Sequence, residues 1–225
     1  MSVDLASVSA RLESPNARDR LLALVSLRDV PAADAVPLIK KVLKDEHIPL
    51  RSMAVFSLGI KQTDECYGLL IDILQNEDDY AIRADAAGAL GYLQDPRAFE
   101  PLVRAFLEET DWLVRFSAAV SLGNLGNPEA YQVLMTALDA PEVVLQQAAI
   151  AALGEIGAID AVDKILTFAR SEDWLVRQRL AEALGKLDTP KSRAALGYLS
   201  KDAHPQVSRA AVLSLDGLEA VDVSA

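Results

Sequence analysis

Between residues 111 and 125 the sequence DWLVRFSAAVSLGNL places Val114, Ala118, Leu122 and Leu125 three and four residues apart. That spacing brings apolar side chains to one face of an α-helix. Asp111 stands just before the run, where a carboxylate can accept from the free amides of a first helical turn. The preceding stretch, RAFEPLVRAFLEE, has the same period in Ala98, Leu102 and Phe106. Asp95-Pro96 and Asn127-Pro128 mark turns that start two such helices, since Pro is tolerated in a first helical turn. The pattern predicts a pair of helices, A and then B, joined by short turns.

The pair recurs. Leu27, Leu58, Leu90, Leu122, Leu153, Leu184 and Leu215 follow one another at steps of 31, 32, 32, 31, 31 and 31 residues. The five central ones are each followed by Gly: Gly59, Gly91, Gly123, Gly154 and Gly185. Seven residues before each Leu stand Arg20, Arg51, Arg83, Arg115, Gln146, Arg177 and Ser208; four before stand Ala23, Ala54, Ala86, Ala118, Ala149, Leu180 and Ala211. The phrase DWLVR at 111–115 and 173–177, which holds both tryptophans, is the same repeat read twice. Seven helix pairs result, at about 2–30, 31–61, 62–93, 94–125, 126–156, 157–187 and 188–219. One pair of short helices cannot bury both its apolar faces, so the pairs must stack. The expected fold is all-α, an α-α superhelix (solenoid) of about seven repeats over residues 1–219, with 220–225 as a frayed C-terminal tail.

Composition agrees with close-packed helices: 51% of residues are apolar but only 5% aromatic. The net charge of −11 would repel phosphate backbones, and no basic stripe offsets it, so nucleic acid is excluded as an expected partner. The single cysteine, Cys66, permits no internal disulfide and suits a reducing compartment. MSVDLASVSARLES lacks the basic start and apolar run of a secretory signal, and no stretch approaches the length of a membrane span. A soluble, cytoplasmic protein is expected.

Several residues invite a chemical reading that the repeat explains more simply. The Arg column resembles an anion-binding ladder, but a residue present in nearly every copy serves what every copy shares: contacts to Asp or to backbone carbonyls at repeat junctions. Cys66 stands where other repeats have Ala35, Ala98, Ala130, Ala161 and Ser192, which marks it as a small buried residue rather than a reactive thiol. His47 and His204 share the column in which Asp79, Asp111 and Asp173 cap their helices. No Cys or acid lies at ligand spacing from them, so no metal site is expected and a capping or turn role is. No phosphate loop, nucleophile elbow or zinc-protease motif occurs, and no catalytic residue is assigned.

One face departs from this. The buried stripe of helix B uses the columns just before Arg and three and seven after it. The columns one, two, five and nine after Arg should then face outward and be polar. The sixth repeat obeys, with Gln178, Arg179, Glu182 and Lys186. The second to fourth repeats instead place Met53, Phe56, Ile60, Tyr92, Phe116 and Val120 there, with Trp112 at the start of the same row. B helices of such solenoids line the concave side, so these seven residues are the candidate partner or ligand groove. Packing between adjacent B helices is the alternative for the same side chains.

The unit D-x-x-V-R-x-x-A-x-x-x-L-G, as in 79–91 and 111–123, resembles the short HEAT-like repeats of cyanobacterial phycobilisome proteins. DWLVRFSAAVSLGNLGNPEAYQVL at 111–134 is most similar to the non-bleaching B (NblB) type phycobilisome-degradation proteins. The E and F subunits of bilin lyases share the repeat more distantly. The resemblance implies a binding protein that engages a phycobiliprotein, and phycocyanobilin as a ligand rather than a required cofactor, in degradation or remodelling of the phycobilisome. It also implies two alternatives, a bilin lyase or chromophore-detaching subunit and a general protein scaffold. For the lyase, Asp85 and Asp111 are the acids near the apolar row. The family offers no catalytic motif to transfer.

Overall fold

The computed structural model describes residues 3–224, with side chains from 3 to 220. Among them there are helices and short 3-10 turns and no strand, so the chain is an α-α solenoid built from repeated helix pairs. It divides into two compact bodies, Met1–Ser121 and Leu122–Ala225. The amino-terminal body holds α1 (Leu5–Leu12), α2 (Ala17–Val25), α3 (Ala32–Ile39), α4 (Ile48–Lys61), α5 (Asp64–Asn76), α6 (Tyr80–Leu93), α7 (Phe99–Glu108) and the first ten residues of α8 (Trp112–Leu125). The carboxy-terminal body holds the rest of α8, then α9 (Tyr131–Ala137), α10 (Val143–Glu155), α11 (Val162–Ile165), α12 (Trp174–Leu184), α13 (Pro190–Leu199) and α14 (Pro205–Ser224). Odd-numbered helices are the A members of each pair and even-numbered ones the B members. The tail expected at 220–225 carries helical backbone as far as Ser224; the side chains of 221–225 lie outside the described residues.

Local chemistry sets the helix ends. The carboxylates of Asp79, Asp111 and Asp173 accept from the amides of Ala81, Leu113 and Leu175 at 2.9, 2.9 and 2.8 Å. Free first-turn amides are thereby satisfied. His47 and His204 do not cap through their rings. Asp45 and Asp202, two residues earlier, accept from the His47 and His204 amides instead. The α4 and α6 helices end in left-handed residues, Gln62 (φ 44°) and Gln94 (φ 58°), at the register where later repeats use Gly126 and Gly157.

The Arg column joins repeats in two directions. Arg83 donates to the carbonyls of Glu77 and Asp78, at the end of the A helix before it, and grips Glu109 of the next repeat at 2.7 and 3.1 Å. Arg177 does the same with Ser171 and Asp202, and Arg20 with Ser14 and Asp45. The Arg20 Nε, 2.8 Å from the second Asp45 oxygen, is within ion-pair range without hydrogen-bond alignment. Arg51 donates to the Asp45 carbonyl, and Gln146 and Ser208 use the same register to reach the carbonyls of Ala140 and Ser200. Charge-assisted bonds from a planar fork to both a carboxylate and helix-end carbonyls explain why Arg recurs. The hydrogen bond from Arg177, stronger than the opposing effect of burial, holds the Asp202 carboxyl below the usual aspartate range.

The Leu-Gly pair has a separate cause. Each Leu of the column from Leu27 to Leu184 is fully buried, as are Cys66 and its column-mates Ala35, Ala98, Ala130, Ala161 and Ser192. The Gly that follows Leu is where one B helix meets the next. A Cβ on Gly59 would lie 2.9 Å from the Ala89 carbonyl oxygen, and one on Gly91 2.6 Å from the Ser121 hydroxyl. In the carboxy-terminal body, a Cβ on Gly123 would lie 2.7 Å from the Ala152 methyl, with similar clashes at Gly154 and Gly185 against Ala183 and Ser214. Gly is thus required for close approach of neighbouring backbones. The column four before Leu, Ala in all but one repeat, is also fully buried, but the direct contact between B helices is made by Gly.

Candidate functional site

On each B helix the first residue and those four, eight and twelve positions later lie along one side. In α4 they are Ile48, Ser52, Phe56 and Ile60; in α6, Tyr80, Ala84, Gly88 and Tyr92; in α8, Trp112, Phe116 and Val120. All of these residues belong to the amino-terminal body, as do Leu22 and Val25 of α2. Of the seven residues selected from sequence, Phe56 is 44% exposed, Ile60 42%, Tyr92 59% and Trp112 48%, while Met53, Phe116 and Val120 are half-buried. Four therefore present apolar surface outright, and three lie partly between neighbours. Sequence reasoning missed Ile48, Tyr80, Leu22 and Val25, all exposed. Ile48 and Tyr80 were legible, since they share the Trp112 column three residues before Arg.

Two features organise this face. Phe56 on α4 and Tyr92 on α6 meet edge to face, their ring centres 5.8 Å apart at 83°, the geometry aromatic quadrupoles favour. The pair fixes two rings in place while leaving both exposed. One to two turns along, Ser52 of α4 donates its hydroxyl to the half-buried Asp85 carboxylate of α6. Burial pushes the Asp85 carboxyl above the usual aspartate range and the charge of Asp79 adds to that; the Ser52 hydrogen bond opposes both. Asp111, by contrast, is committed to capping α8.

Between α2 and α4 the face deepens into a groove of about 310 Å³, lined by Leu24, Val25, Leu27, Arg28, Met53, Phe56, Ser57, Ile60 and Lys61. It opens where the Gly column is interrupted: the residue after Leu27 is Arg28. Lys61 closes one end, its ammonium donating to the carbonyls of Leu27, Arg28 and Val30 at 2.9, 2.7 and 2.6 Å.

The carboxy-terminal body has a different B face. Gln178 and Arg179 of α12 donate to Glu182, and Lys186 pairs with Glu155 of α10 at 2.5 Å. Its tryptophan, Trp174, stacks on His204 at 4.2 Å and 12°. Among the described residues no three His, Cys, Asp or Glu side chains converge in a way that would hold a metal ion, and no helix is long and apolar enough to cross a membrane.

The sequence model of the HEAT repeats family matches residues 68–148 and 133–216. No curated protein matches the chain. Among solved structures, the complex of CpcE and CpcF of phycocyanin lyase from Nostoc sp. PCC7120 is similar, with a TM-score of 0.62 at 20% identity, covering 97% of this chain and 96% of that one. YibA of E. coli gives a TM-score of 0.61 at 17% identity, over 95% and 93% of the two chains. An engineered protein gives 0.51 at 20% identity, over 97% and 100%. At these identities the likenesses establish the fold.

Proposed function

From the premise that this chain belongs to the HEAT repeat family, we propose that it is a non-catalytic binding protein whose amino-terminal B face docks onto a phycobiliprotein, in degradation or remodelling of the phycobilisome. The observation that carries this is the exposed Phe56–Tyr92 pair, set in a row of apolar side chains where a solvated helix face would be polar. Exposed apolar area of that kind is uncommon on a protein without a partner, and rigid aromatic rings are favoured anchors at interfaces. Flat conjugated ligands suit the same rings, so the bilin of the partner is the group expected against them. Support for the choice of partner comes from the resemblance of the repeat at 111–134 to those of phycobilisome proteins and from the fold shared with a phycocyanin lyase over nearly the whole chain. Titration with purified phycocyanin and with free phycocyanobilin tests it. The expected result is a co-eluting complex with phycocyanin and a shift in bilin absorbance or fluorescence; no change with either rules the reading out.

A second reading, a bilin lyase or chromophore-detaching subunit, is favoured by Asp85 alone. Its carboxyl holds a proton to higher pH than an ordinary aspartate does and lies on the side of α6 that carries Tyr92, two turns away. A carboxyl so tuned suits general acid work. Incubation with apo-phycobiliprotein and phycocyanobilin would then yield a covalent adduct, or holo-protein would lose its bilin. If neither occurs, the binding role stands without catalysis. Capture of proteins other than phycobiliproteins would point to a general scaffold.

A further inference from the structure

We propose that the groove between α2 and α4 binds a small amphiphilic carboxylate, its apolar part among Val25, Met53, Phe56 and Ile60 and its charged end paired with Arg28. The groove exists because the repeat rule is broken there. Wherever Gly follows the buried Leu, adjacent B helices close to backbone contact, whereas at the first junction Arg28 takes that position and about 310 Å³ stays open. Its size argues for a small molecule rather than a partner helix. A helix is about 10 Å across with its side chains, while this volume lies at the lower limit of small-ligand pockets and suits about ten to fifteen heavy atoms.

Charge selects the end group. The groove has two basic side chains, Arg28 and Lys61, and Lys61 is bound to three carbonyls, as the Arg column is bound to acids of the next repeat at Arg20, Arg51, Arg83 and Arg177. Arg28 lines the groove, is exposed, and pairs with no acid among the described residues. In a chain of net charge −11, an unpaired guanidinium at the rim of an apolar groove is a local site for an anion, and its planar fork matches a carboxylate. This assignment shares Met53, Phe56 and Ile60 with the proposed docking face but rests on the groove and Arg28, not on Tyr92, Trp112 or the choice of a phycobiliprotein as partner.

The test is a titration at low ionic strength with octanoate and with octanol, followed by the methyl resonances of Val25, Met53 and Ile60, which line the groove, with circular dichroism to confirm folding; in Met53→Trp the Val25 and Ile60 methyls report. Octanoate is expected to bind about fivefold more tightly than octanol, the modest factor an exposed ion pair supplies. Arg28→Gln is expected to erase that preference and leave octanol binding unchanged, and Met53→Trp to fill the groove and abolish both. Trp112→Glu, in the docking row but outside the groove lining, is expected to leave octanoate binding intact whether or not phycocyanin binds. Equal affinity for the two probes, an Arg28→Gln protein that still prefers octanoate, or no perturbation of Met53 by either would overturn the assignment. So would Met53→Trp binding that is unchanged in a folded protein.

Discussion

Asp85 sits half-buried on α6 beside an apolar face, with its charge disfavoured by burial and by Asp79. Its folded-state pKa is raised, so the folded protein holds a proton over a range where the unfolded chain has released it. Stability from this group is present below the usual aspartate value of about 4 and is lost as the pH rises through the raised value. Above that window the ionised carboxylate is a standing penalty. Asn keeps an acceptor for the Ser52 hydroxyl without the charge. Asp85→Asn is therefore expected to raise the urea midpoint at pH 7, with the gain shrinking towards pH 3. Asp45 and Asp202, whose carboxyls lie below the usual range, lose stability in acid in both proteins and cancel from the comparison. A wild type more stable than the variant at pH 7 would mean that the ionised Asp85 is held by a favourable partner.

At the scale of helices, the same substitution should act with opposite sign according to which face of the repeat it falls on. Gly123→Ala puts a methyl 2.7 Å from the Ala152 Cβ and 2.8 Å from its Cα, so α8 and α10 must move apart at a cost of about 1–3 kcal/mol. Gly68→Ala, on an exposed turn of α5 with nothing within 4 Å, should stabilise by about 0.5–1 kcal/mol through reduced freedom of the unfolded chain. Equilibrium urea denaturation of the two variants reads both signs, and a Gly123→Ala protein as stable as wild type would remove the close-approach account of the Leu-Gly pair. Periodicity revealed that Leu, Gly, Arg and Asp recur, and the helix pairs and their caps followed directly. What each recurring residue touches was less legible, because a pattern along one chain says nothing of the neighbour it meets. The Arg column was read correctly because its acids recur too, whereas Gly faces Ala or Ser, residues too common to stand out. The missing Gly at Arg28 was visible as an exception, but the groove it opens depends on how far α2 then stands from α4.

Across the molecule, the two bodies carry different B faces. In the carboxy-terminal one the α12 side chains are polar and pair through Glu182, Lys186 and Glu155, while Val143, Trp174 and Leu213 of its B helices are exposed without an aromatic pair like Phe56–Tyr92 among the described residues. The amino-terminal one exposes Ile48, Phe56, Ile60, Tyr80, Tyr92 and Trp112. Outward-facing apolar residues on three B helices of one body were readable as a breach of the polar expectation. How far each is exposed was not, which is why Met53, Phe116 and Val120 proved half-buried while Tyr80 went unnoticed. The sharpest test of the docking face is the phycocyanin dissociation constant of a Phe56→Glu, Tyr92→Glu double variant, beside a matched charge change on the other body, Gln178→Glu, with helix content confirmed by circular dichroism. The account predicts a loss of at least a hundredfold for the first, as expected when two anchor residues at the centre of an interface become charged, and a change within about threefold for the second, as is usual for rim or distant charges. Equal affinity for the two, with both proteins folded, would contradict it.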